Sequence, residues 1–140
     1  MSTDYNQVLD TLVNLLATNT GRVVTRSFKQ ESELNDAEQL SGLYMVMHDN
    51  VANYPQEHRP GDLGDQRIMI IGICKVAEDV DSEEIEKLEL AMLNELEALA
   101  SINPLPDELV GLQILSATGS LQTGHPYGHV VASFSNYSGA

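Results

Sequence analysis

Residues 81–100 read DSEEIEKLELAMLNELEALA, and what this stretch covers decides the fold. Ile85, Leu88, Met92, Leu96 and Leu99 recur three or four residues apart, which lays one greasy stripe along a helix. Asp81 or Ser82 suits the cap. Glu83, Glu84 and Glu86 fall in the first turns, where the positive end of the helix dipole favours carboxylates. Pro104 and Pro106 stop the helix. At about 1.5 Å per residue it runs roughly 27 Å, enough to cross a small sheet. Lys87, Glu89, Glu95 and Glu97 are expected on its other side, facing water or a partner.

Outward from this helix the apolar patterns alternate between two periods. Before it, residues 67–76 form a near-continuous apolar run, Arg67-Ile68-Met69-Ile70-Ile71-Gly72-Ile73-Cys74, which predicts a central strand. Residues 42–48, with Leu43-Tyr44-Met45-Val46, predict another. The β-branched stretch 22–28 predicts a first strand, with Arg22 or Arg26 on an exposed side. The chain begins with a second amphipathic helix: Asp4 as cap, then Val8, Leu9, Leu12, Leu15 and Leu16, ended by Thr20-Gly21. After the 81–100 helix, residues 110–118 and 129–135 predict two further strands, separated by a turn rich in glycine and proline.

The expected order is therefore α-β-β-β-α-β-β. The expected fold class is α+β: one domain over residues 1–140, with a single mostly antiparallel or mixed sheet and both amphipathic helices on one face. Two connections are long and polar. Residues 29–41 read as a loop with a short helical turn near 36–40. Residues 49–66 hold Pro55, Pro60, Gly61 and Gly64 and are either disordered or functional. The tail 136–140 is small and polar and reads as loose.

Composition bounds the chemistry. Twenty-one acids and seven bases over 140 residues give a net charge of −14. Such a surface repels nucleic-acid phosphates and anionic lipid, although it suits a wall past which DNA slides without sticking. The single cysteine, Cys74, lies in an apolar run and reads as a small buried hydrophobe. No apolar run approaches the ~20 residues of a bilayer span, and no basic-then-apolar leader opens the chain, so neither export nor anchoring is expected.

The residues offer little to a catalyst. His125 and His129 have i, i+4 spacing, but Pro126 and Gly128 forbid the helix that would make it a metal site. His48 with Asp49 reads as a solvent-facing strand end. The glycines at 119–124 lie between two strands rather than before a helix, so they form a turn and not a phosphate cradle. Gly61-Asp62-Leu63-Gly64-Asp65 lacks the liganding positions of a calcium loop. Catalytic, cofactor-binding and metal-binding residues are therefore expected to be none.

A helix from Tyr5, strands at 22–28 and Leu43-Tyr44-Met45-Val46, a long loop, the strand Arg67-Ile68-Met69-Ile70-Ile71-Gly72 and a helix opening Asp81-Ser82-Glu83-Glu84 make up a pattern. In order and size, over residues 5–137, it resembles the tail terminators (tail completion, minor tail U-like proteins) of long-tailed bacteriophages. The resemblance implies an α/β fold that assembles as a hexameric ring. The ring caps the tail tube, stops its polymerisation and offers a docking surface to the head connector. It implies a virion protein made in the host cytoplasm, with DNA passing through the lumen without specific binding and no membrane partner.

Interaction loops are commonly long, polar and hung on rigid strands, so the two long connections are the expected contact segments. Tyr54, His58 and Arg59, with Asp62, Glu31 and Glu33, are the expected inter-subunit or tail-tube contacts, since aromatics and arginine dominate hot spots. Two other readings remain: a small acidic adaptor that binds one protein partner, and another phage neck or tail component.

Overall fold

The computed structural model describes residues 4–54, 57 and 63–137. It has α1 (Tyr5–Thr20), β1 (Val23–Thr25), α2 (Asp36–Ser41), β2 (Leu43–Ala52), β3 (Asp65–Lys75), α3 (Ser82–Leu99), β4 (Leu112–Gly119) and β5 (Tyr127–Tyr137). The strands form one mixed sheet in the order β1-β2-β3-β5-β4. Only β1 and β2 run parallel; the other neighbours are antiparallel. The class is α+β.

α1 forms where its apolar spacing places it, and its start is closed by both halves of a capping box. Asp4 Oδ1 accepts from Gln7 N at 2.8 Å, and Gln7 Oε1 accepts from Asp4 N at 2.9 Å. Gly21 ends the helix with φ at +70°, a left-handed conformation that glycine adopts without steric penalty. α3 begins after Asp81, whose side chain makes no capping bond, so its start depends on Glu83 and Glu84 near the dipole.

The two helices bury their stripes on one sheet face. Leu12 and Leu16 of α1 and Met92 and Leu96 of α3 join Tyr44, Val46, Ile68, Ile70, Ala132 and Phe134 in one core. Each large side chain fully buried there contributes roughly 1.5–3 kcal/mol of transfer free energy. Cys74 belongs to this core. Gly72 marks a close approach of helix and sheet: a Cβ there would meet Met92 Cε at 2.7 Å and the Tyr44 ring at 3.1 Å.

The opposite face is covered only in part. Leu34 lies over Leu43, Met45 and Ile73, with Val23, Ile71 and Tyr127 around them. Two helices on one face do not describe this side, because α2 and the segment before it pack there.

Several boundaries differ from the pattern reading. The first strand shrinks to three residues, since Ser27 N donates to Thr25 Oγ1 and Arg26 turns to Asp10 and Asn6 of α1. β2 runs on past a bulge near Asp49 to Ala52, and β5 is longer at both ends. Asn136 and Tyr137, read as a loose tail, belong to β5, with Asn136 buried.

The largest difference lies on α3. Lys87 and Glu97 are exposed as expected, but Glu89 is buried and Glu95 is half-buried, so the expectation that both face water is corrected. Each carboxylate is drawn inward by the donors it accepts from: backbone N–H groups and a hydroxyl for Glu89, a guanidinium and a phenol for Glu95.

Candidate functional site

Glu89 reaches from α3 into the turn between β4 and β5. It accepts from His129 N at 2.9 Å, from Ser120 N at 3.3 Å and from Ser120 Oγ. Gly119 and Gly128 leave the room: a Cβ on either would lie within 2.8 Å of a Glu89 oxygen. The Cys74 thiol is close by, and burial first, then the Glu89 charge, pushes its pKa up to about 11. It is a protonated core group at neutral pH and not a nucleophile.

Glu95 builds the second polar connection. Arg22 donates to it through Nε at 2.8 Å and Nη2 at 2.9 Å, a two-pronged pair, and Arg22 Nη1 donates to Ser41 O at 2.6 Å. The Tyr44 hydroxyl lies 2.7 Å from Glu95 Oε1 and 3.1 Å from Met92 O. Burial and this carboxylate hold the phenol far above its ordinary pKa, so it stays protonated. Glu95 thus ties the α1–β1 turn, β2 and α3 together. The guanidinium bond to Glu95 likewise raises the Arg22 pKa, which keeps the pair ionised.

A third carboxylate closes α2. Glu38 accepts from Lys29 Nζ at 2.6 Å and from Asn35 N at 2.9 Å. Both hold its pKa below the ordinary value of 4.5, the lysine most. A depressed folded-state pKa gives stability that is present above the ordinary value and lost as pH falls through the folded one. Wild-type unfolding midpoints in urea, followed by circular dichroism, should therefore drop as pH falls below about 4.5. Glu38→Gln should give a flatter profile in that window, at a loss near neutrality of about 1 kcal/mol.

The contact residues expected from the sequence do not form one cluster. Glu31 and Glu33 stand exposed on a short 3-10 turn, and Glu31 borders a groove of about 420 Å³ with Phe28, Lys29, Met45, Ile73 and His129. Tyr54 stands exposed just beyond β2. Lys29 N lies 3.1 Å from Met45 Sδ, so the 3-10 segment sits near the start of β2, while Tyr54 follows its end. From Met45 to the end of β2 at Ala52 the strand rises roughly 23 Å. His58, Arg59 and Asp62 lie outside the described residues.

His48 carries Gln66 Nε2 at 3.1 Å from its Nδ1 and stacks obliquely on Tyr5 at 6.3 Å. His125 Nε2 lies 2.7 Å from Val80 O. Among the described residues, no group of three or more histidine, cysteine, aspartate or glutamate side chains is placed to hold a metal ion. No helix among them is long and apolar enough to cross a membrane.

One surface feature escaped the pattern reading. All twenty-eight charged side chains lie in residues 1–109, and residues 110–140 contain no Asp, Glu, Lys or Arg. Those residues include β4 and β5, so this charge-free stretch supplies the strands on one side of the sheet, ending at the edge strand β4. The signal was in the sequence, but a charge averaged over the whole chain conceals it. The chain matches no family model and no curated protein.

Proposed function

We propose that this chain is a structural protein, the tail terminator of a long-tailed bacteriophage. Six copies form a ring that caps the tail tube, ends its polymerisation and presents the joining surface for the head connector. The reading starts from the resemblance in element order. The observation that carries it further is the segregation of charge: an acidic body on one side and an uncharged sheet edge on the other. A ring needs both, a surface on which copies can meet and a wall that repels DNA in transit. Six copies at −14 each amount to −84 formal charges, and phosphate finds little to bind on such a wall. The protein then resides in the virion at the head-tail joint and requires no cofactor.

Native mass spectrometry and negative-stain imaging of the purified chain, with and without tail tubes of its own phage, test this. Hexamers, or rings capping tube ends, are the expected result. A monomer that ignores the tubes overturns the proposal and favours the adaptor reading. In the same assay, Arg59→Ala should weaken assembly about tenfold or more, the loss typical of a hot-spot arginine, while the melting temperature stays nearly constant. A fall in melting temperature instead assigns Arg59 to the fold.

A further inference from the structure

The last strand of the sheet is β4, and β5 is its sole partner, so one side of its backbone bonds to no strand among the described residues. Unpaired edges template strand addition, and proteins usually guard them with lysine, proline or inward charge. β4 reads LQILSATG and has none of these. Its one guard is a bulge between Ile114 and Ser116, which turns Leu115 outward and leaves 116–119 as the straight part of the edge.

Large apolar side chains gather along the same side. Leu115 is 47% exposed, Val110 69%, Leu90 52% and Leu121 87%. Leu90 and Leu93 of α3, with Ala117, Gly119 and Leu121, line an apolar groove of about 250 Å³ directly beside the edge. Glu86 and Glu89 also line this groove, and a third acid, Glu97, borders the adjoining depression. Glu86 accepts from Gln122 Nε2 at 2.9 Å.

We propose that the β4 edge and the Leu90–Leu121 groove are the surface on which a second copy of this chain docks, with Leu115 and Leu121 as its anchors. The charge distribution selects the occupant. Two bodies of −14 repel wherever their acidic surfaces face each other, and the uncharged side is where a copy can approach most closely. Along β4 itself a basic partner finds no carboxylate to complement; the nearby acids, Glu86, Glu89 and Glu97, all belong to α3. A copy also supplies the matching chemistry: the same leucines and the same unpaired backbone over a strand of roughly 27 Å. The inference goes beyond the ring reading, since neither six-fold symmetry nor a tail is needed for it.

Sedimentation velocity and native mass spectrometry of the full chain across a wide concentration range, at low and high salt, supply the test. Self-association is expected to strengthen with salt, because screening removes the repulsion between like-charged bodies. Leu115→Lys and Leu121→Lys are each expected to weaken it roughly tenfold or more. Leu40→Lys, at an exposed leucine on α2, which packs against β3 and β1 and not against β4, should leave it unchanged. Thr118→Pro, which blocks backbone pairing on the edge, is the second probe should a lysine variant fail to fold by circular dichroism.

A wild-type chain that stays monomeric at high salt overturns the inference, as does an assembly indifferent to Leu115, Leu121 and Thr118. A six-fold ring lost with these variants supports the ring but overturns pairing of β4 with its own copy, because a ring joins two different patches. A dimer lost with them supports the surface and overturns the ring.

Discussion

Glu89→Ala should destabilise the protein by about 3 kcal/mol, read as a shift of the urea or guanidinium midpoint. Ser120 N, Ser120 Oγ and His129 N all donate to this one carboxylate, which is 5% exposed. Truncation leaves two backbone N–H groups and a hydroxyl buried without an acceptor, at roughly 1–3 kcal/mol for each group that water does not reach. The gain from no longer burying a charge offsets part of that, so the total falls below the simple sum. An apolar replacement should do no better, because backbone donors cannot be mutated away along with their acceptor. Glu89→Gln keeps one acceptor oxygen but turns an amide NH2 toward a donor, and should fall between wild type and Ala. A loss under about 0.5 kcal/mol for Glu89→Ala would place water, not the carboxylate, on those donors.

Glu95→Ala should cost about 2 kcal/mol. Breaking a fully buried ion pair by removing one partner costs roughly 3–5 kcal/mol. Here the Arg22 and Glu95 side chains are 19% and 28% exposed, so water recovers part of that. Arg22 would keep only Ser41 O, and the Tyr44 hydroxyl only Met92 O. Tyr44→Phe alone should cost about 1 kcal/mol, because the ring's packing survives. Arg22→Ala and Glu95→Ala combined should cost less than their sum, with a coupling of about 1 kcal/mol or more. Additive losses would mean that the two side chains do not act together in solution.

Both residues show where the sequence stopped being legible. The helices, the central β3 strand and the α+β class were readable because spacing of apolar side chains reports which face is buried. On α3 apolar spacing alone marks Ile85, Leu88, Met92, Leu96 and Leu99 as the stripe. The buried set is Ile85, Glu89, Met92, Leu96 and Leu99, a more regular 4-3-4-3 spacing with a glutamate at its second position. Leu88 is only partly buried and Leu90 stands in solvent, so polarity misassigned one turn of the helix. A carboxylate at a regular core position is the signal that could have been used, and it implies donors across the interface. Those donors lie at Ser120 in a turn and at His129 in β5, thirty-one and forty residues away, which no local pattern reveals.

Sheet order was equally hidden. Short connections favour neighbours in sequence, yet β5 inserts between β3 and β4. Loop length and residue type mark candidate contact residues but say nothing about which loops meet. The uncharged edge depends instead on where charge is missing.

The position of β5 sets the timing of folding. It comes last in sequence of the five described strands, yet it is an interior one, paired to β3 along eleven residues and to β4 along its other side. On a translating ribosome, β3 emerges with its isoleucines and has only β2 to pair with until β5 follows more than fifty residues later. At roughly 5–20 residues per second, that strand waits several seconds with one flank open. A message cut short before Tyr127 would therefore yield a half-sheet with its middle strand bare, a product fit for chaperones and proteases rather than for assembly.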